Sequence, residues 1–153
     1  MMLPSTEVVL DIETMGTQHD AVVVSVGMVR ILWDTELNEW VVPSEGSSYS
    51  LYMVLDATKQ FQNHRSVDTG TMKWWADQRS GVSDVLQKAF LVTGELSRQC
   101  TSIIQFVREI NNTRVWGNGP NFDNKILGHL VRSMLPTDLC QFRNERDIRT
   151  VRD

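Results

Sequence analysis

The chain is short of the features that mark several protein classes. Cysteine occurs only at Cys100 and Cys140, in no metal-like spacing, which argues against a disulfide scaffold and against a zinc site. Long apolar runs are missing: a stretch such as Ala21-Val22-Val23-Val24 falls far below the roughly 20 residues needed to cross a bilayer. Residues 1–7 have neither the basic head nor the apolar stretch of a signal peptide, so no membrane partner and a reducing cytoplasm are the expectations. There is no internal repeat, no low-complexity segment and no linker. An excess of positive charge is absent as well. Fifteen basic against nineteen acidic residues give a net charge of −4, a balance that by itself discourages a nucleic-acid reading. What remains is ordinary: 153 residues, 41% hydrophobic and 22% charged, as in a soluble globular protein. The expectation is one domain over 1–153 with a single core.

The charge is unevenly spread. Residues 1–100 carry 7 basic and 13 acidic side chains, whereas 101–153 carry 8 and 6. Arg143, Arg146, Arg149 and Arg152 recur every third residue. With Glu145, Asp147 and Asp153 interleaved, they read as a solvated, partly self-neutralised segment.

Residues 8–11 and 21–32 are rich in β-branched side chains and predict a short and a long strand, joined as an antiparallel hairpin through a turn at Gly16. Strands at 40–42 and 49–54 extend the sheet, with 43–48 as a loop between them. A helix capped by Thr69 or Thr71 runs to about Gln78. A second, over 95–110, places Leu96, Ile103, Ile104, Val107 and Ile110 largely on one face. A strand at 114–116 stops at Gly117-Asn118-Gly119-Pro120. A third helix follows, with Phe122, Ile126, Leu127, Leu130, Val131 and Leu135 at helical spacing, and ends at Pro136. An extended piece near 142–151 closes an α/β mixed sheet with helices packed against it.

Asp11 and Glu13 stand two positions apart at the end of the first strand. Strand side chains alternate, so both carboxylates leave one face and Ile12 the other. Two like charges beside a core are costly without a positive partner, and a divalent cation is the simplest one. Alternatively, acid-x-acid only marks a strand end. Asp123, in the first turn of the last helix, either answers the helix dipole or converges with Asp11 and Glu13. In the second case the three supply the oxygen ligands that hard cations take. Two Mg2+ or Mn2+ ions roughly 3.5–4 Å apart would then suit phosphodiester cleavage.

The runs Val9-Leu10-Asp11-Ile12-Glu13-Thr14-Met15-Gly16 and Trp116-Gly117-Asn118-Gly119-Pro120-Asn121-Phe122-Asp123-Asn124 resemble the first two signatures of the DEDD, or proofreading-type, 3′-to-5′ exonucleases. Thr71-Met72-Lys73-Trp74-Trp75-Ala76-Asp77-Gln78 and Arg143-Asn144-Glu145-Arg146-Asp147-Ile148-Arg149-Thr150 narrow the likeness to the phage exodeoxyribonuclease A-like subgroup, which includes exoribonucleases. The resemblance implies a ribonuclease H-like fold with a five-stranded mixed sheet flanked by helices. It implies Asp11, Glu13 and Asp123 as catalytic and metal-binding carboxylates, Mg2+ or Mn2+ as cofactor, and the 3′ end of a single-stranded DNA or RNA as substrate. Thr14, Met15 and Gly16 match the segment that holds the terminal nucleotide, with Met15 packing on its base or sugar. Trp74 and Trp75 are candidates for base stacking, although neighbouring helical positions point about 100° apart, which puts one of them toward the core. Asn118 is expected to fix the active-site loop, and Phe122 to be core.

One part of the family pattern is missing. The third signature, His or Tyr followed four or five residues later by Asp on a C-terminal helix, has no counterpart. Beyond Asp123 the only histidine is His129, followed at those offsets by Ser133 and Met134, and both tyrosines, Tyr49 and Tyr52, lie upstream. His129 reads as structural or exposed. The expectation is therefore a C-terminally truncated domain with the last helix missing and catalysis impaired. The competing expectation is a catalytically silent nucleic-acid-binding or protein-interaction module. Bare apolar sheet surface would favour a homodimer.

Overall fold

The structure is a computed structural model that describes residues 6–43, 49–110, 113–119 and 121–151. Pro120, Arg152, Asp153 and most of the loop expected at 43–48 lie outside the described residues. Strand β1 (Thr6–Thr14) pairs antiparallel with the long β2 (Val23–Asp34), so the predicted hairpin is present. The outer edge of β2 carries two short antiparallel strands in succession. Its end at Leu32–Asp34 pairs with β3 (Glu39–Val41), and its middle at Ser25–Val29 pairs with β4 (Ser50–Val54). On the other side of β1 come β5 (Arg114–Gly117) and then β6 (Glu145–Asp147), both parallel. The order β3-β2-β1-β5-β6, with β4 also on β2, makes six strands instead of the expected five. The sixth arises because β3 and β4 share a single position beside β2.

Four helices separate β4 from β5, where the sequence led us to expect two. Helices α2 (Thr69–Ala76) and α4 (Leu96–Arg108) are the predicted pair. The additional ones are α1 (Ala57–Gln62) and α3 (Ser80–Leu91). The six residues of α1 are too few to show a helical period. It is held instead by Asp56, whose carboxylate accepts from the Lys59 amide at 2.8 Å, and by fully buried Gln60. The Gln60 side chain accepts from Val23 N and donates to Val23 O, both at 2.8 Å, like a short piece of strand. Asp68, rather than Thr69 or Thr71, caps α2 by accepting from the Thr71 amide at 3.0 Å. After β5 comes α5 (Asp123–Met134). The predicted C-terminal extended piece is real only over β6, with 3-10 turns at Phe142–Asn144 and Ile148–Val151 on either side.

A bulge explains the apolar run at 21–24. Glu13 pairs with Ser25 but Thr14 pairs with Val23, so one extra β2 residue reverses the alternation of side chains. Ala21 and Val23 consequently join the main core with Val8, Leu10, Ile12, Val26 and Met28, against the apolar faces of α4 and α5. Val22 and Val24 join a second cluster with Met15, Ala57, Trp75 and Ala89, beneath α1, α2 and α3. Among the described residues no helix is long and apolar enough to cross a membrane.

Candidate active site

Pairing of β1 with β5 stops at Val9–Trp116, while β1 runs on to Thr14. The backbone beyond Val9 therefore needs another partner on that side. Asp123 supplies it. Its carboxylate, 1% exposed, accepts from Ile12 N at 3.2 Å with one oxygen and from Asn118 N at 2.8 Å with the other. The first residue of α5 thus ties the loop after β5 to the end of β1, across 111 residues of sequence. Gly117 makes the approach possible: a Cβ there would lie 2.9 Å from Asn124 Oδ1 and 3.1 Å from Asp123 Cβ.

Asp11 and Glu13 leave the same face of β1, both exposed, while Ile12 is buried. The three carboxylates influence one another. Partial burial, then the charges of Asp11 and Asp123, raise the Glu13 pKa above its ordinary value. Asp123 is also raised, chiefly by burial, against the lowering effect of the amides of Asn118 and Ile12. Such a set of like-charged oxygens has the donor chemistry of a hard dication site. Among the described residues, however, no three His, Cys, Asp or Glu side chains gather closely enough to hold an ion as they stand.

Two clefts meet at this point, with Phe122 in the wall of both. One, of about 590 Å3, is lined by Asp11, Asn118, Gly119, Asp123 and Arg149 besides Phe122. The other, of about 500 Å3, is lined by Glu13, Thr14, Thr17, Thr71 and Trp74. Phe122 is half-buried between core and cleft, so its expected core role is only part of its position.

The tryptophan pair divides as helical geometry requires. Trp74 is 49% exposed in the second cleft, whereas Trp75 is 2% exposed and donates from Nε1 to the Thr14 carbonyl at 2.8 Å. Trp75 therefore sits behind the cleft as a core residue, correcting its place among the substrate contacts. Met15 needs the same correction. It is fully buried in the second cluster with Trp75 and Val22, on the side of β1 to which alternation along the strand directs it, and so is covered by the core instead of open to a nucleotide. Thr14 and Gly16 form a tight turn in which Thr14 Oγ1 donates to Gly16 O at 2.6 Å. The Asn118 backbone amide donates to Asp123 at 2.8 Å, and Asn118 lines the first cleft.

His129 points elsewhere. Its Nδ1 lies 2.9 Å from an Arg65 guanidinium nitrogen, and its ring stacks edge-on with His19. Sequence reasoning missed Arg149, which had been grouped with a solvated run. It also missed Asp147, whose Oδ1 accepts from both Gly119 N and Arg149 N, at 2.9 and 3.0 Å. The available signal was the run Arg143–Thr150, which carries part of the family resemblance and contains both residues.

Comparison with known proteins identifies the family. The family model described as 3′-5′ exoribonuclease Rv2179c-like domain matches residues 6–153. The exodeoxyribonuclease of Enterobacteria phage T4 is 26% identical over 162 residues, an alignment that covers 93% of this chain and 68% of that protein. With strand-end and helix-start carboxylates brought together on a mixed sheet, the chain belongs to the 3′-5′ exoribonuclease Rv2179c-like domain family of DEDD-type exonucleases.

Proposed function

We propose that the chain is a metal-dependent 3′-to-5′ exonuclease that removes nucleoside 5′-monophosphates from single-stranded ends. The observation that carries this reading is the placement of Asp123 by the amides of Ile12 and Asn118 beside the Asp11–Glu13 face, with Glu13 raised by both neighbours. Asp11, Glu13 and Asp123 are the residues that would hold Mg2+ or Mn2+. When bound, the cations supply a nucleophile at neutral pH and stabilise the attacking and leaving oxygens. The protein's own part is positional. Trp74 offers an aromatic face that stacks on any base, the Thr14–Gly16 turn supports the terminal nucleotide, and Phe122 separates the base side from the phosphate side. No histidine or tyrosine lines either carboxylate cleft among the described residues, which supports slow hydrolysis by this chain.

The test is digestion of 5′-labelled single-stranded RNA and DNA with Mn2+, with products separated by length and the released nucleotide identified by chromatography. Stepwise shortening from the 3′ end that Asp11→Ala abolishes is the expected result. Cleavage that survives this substitution would overturn the reading.

The alternative reading is a catalytically silent nucleic-acid-binding or protein-interaction module. Calorimetric titration with Mn2+ separates the two. Binding that is lost in Glu13→Ala supports the nuclease, and no binding by the wild type supports the module. A homodimer belongs to the second reading, and a monomer in sedimentation at high concentration would remove it.

A further inference from the structure

We propose that Arg149 is the phosphate-binding residue of the first cleft, taking the terminal internucleotide phosphate of the strand. The inference deepens the nuclease reading and rests on it for the identity of the strand. Arg149 lines the same cavity as Asp11 and Asp123, yet no ion pair or side-chain hydrogen bond engages its guanidinium among the described residues. Its neighbours in the arginine run behave differently. Arg143 donates to Gln141 Oε1 at 2.9 Å, and Arg146 donates to the carbonyls of Arg143 and Glu145 at 2.6 and 2.8 Å.

Arg149 is also set in place from its backbone. Asp147 Oδ1 accepts from the amides of both Gly119 and Arg149, clipping the segment after β6 to the loop after β5. The guanidinium then lies against Gly119. A Cβ on Gly119 would meet Arg149 Cζ at 3.3 Å and both terminal nitrogens at 3.5 Å, and Gly119 has φ +121°, a region L-residues rarely adopt. The backbone angle favours glycine here, and the missing side chain leaves the guanidinium room to lie against the loop. The result is a planar cation whose donors are unspent among the described residues, lining a cleft whose other charged residues, Asp11 and Asp123, are acidic. A guanidinium matches phosphate geometry bidentately, and an anionic strand approaching Asp11 and Asp123 requires a compensating charge. With Trp74 in the other cleft across Phe122, the base side and the backbone side of a strand each have a partner.

The test measures binding and hydrolysis separately. Fluorescence anisotropy with 5′-fluorescein oligouridylate and oligothymidylate in EDTA gives Kd over a range of NaCl concentrations for wild type, Arg149→Ala, Arg149→Lys and the exposed control Arg143→Ala. We expect Arg149→Ala to raise Kd about tenfold or more, as for loss of a charged hydrogen bond. The slope of log K against log salt should fall by about 0.7, the value of one single-strand phosphate contact. Arg149→Lys should restore the slope but not the full affinity, and Arg143→Ala should match wild type. An unchanged slope in Arg149→Ala, an equal loss in Arg143→Ala, or no strand binding by the wild type would each overturn the proposal. Mn2+-dependent digestion by the wild type reports on the nuclease reading independently. Digestion with an unaltered salt slope in Arg149→Ala removes Arg149 alone, whereas a reduced slope without digestion removes the nuclease and leaves the phosphate site.

Discussion

Glu13 has a higher pKa than an ordinary glutamate because its surroundings desolvate it and because Asp11 and Asp123 are negative. Between the ordinary value, about 4.3, and the raised native value, the folded chain binds more protons than the unfolded one. Stability linked to Glu13 is therefore fully present below the ordinary value and is lost as pH rises through the native one. Glu13→Gln removes that loss. Thermal melting of this variant against wild type should show no difference near pH 4 and a higher Tm for the variant at pH 7, in metal-free buffer. The tryptophans give a second contrast at this scale. Trp75→Phe leaves the Thr14 carbonyl without its donor and should lower stability in urea by about 1–3 kcal/mol. Trp74→Ala should leave stability nearly unchanged and weaken strand binding by about 1–3 kcal/mol, one stacked base.

At the scale of elements, the contact between β5 and the start of α5 is the critical one. Gly117→Ala forces a methyl against Asn124 Oδ1 and Asp123 Cβ, and neither has room to yield, because Asn124 donates to Val115 O and Asp123 accepts two amides. We expect a loss of about 1–3 kcal/mol, the range for overpacking, read from denaturant midpoints, together with weaker Mn2+ binding as Asp123 shifts. This junction was legible in the sequence because a short apolar strand, a glycine-rich stop and an amphipathic helix follow one another with Asp123 at the boundary. The Asp11–Glu13 face was legible for a similar reason, since strand alternation needs only local spacing. What could not be read was set by distant contacts. Six residues of α1 carry no period and are held by Gln60 acting on β2, and the β2 bulge that reverses the alternation at 21–24 depends on pairing with β1. The three-residue β6 has too few side chains to declare itself. In α3, Val82, Val85, Leu86 and Ala89 do have helical spacing, but the helix is largely exposed, with Leu91 at its end in solvent.

For the whole molecule, on the proposed reading, a net charge of −4 with Asp11, Glu13 and Asp123 near one strand end would make cation binding and folding reinforce each other. A ligand that binds only the folded state raises its stability by RT ln(1 + [L]/Kd), about 2.7 kcal/mol at one hundred times Kd. Mn2+ should therefore raise Tm in a concentration-dependent way, by a shift that Asp11→Ala or Glu13→Ala largely removes. A shift that persists in both variants would place the bound ion elsewhere.

The ladder from β1 through β5 to β6 also determines when the cleft exists. Asp11 and Glu13 are synthesised well before the acid that answers them, which sits 111 residues after Ile12. The clip that holds Arg149 at the cleft depends on Asp147 at the end of β6. A nascent chain can form the β1–β2 hairpin long before either arrives. On the proposed reading, the cleft thus assembles only once α5 and β6 are in place, and the β1–β2 hairpin by itself carries the acidic strand without the partners that would let it engage a nucleic-acid end.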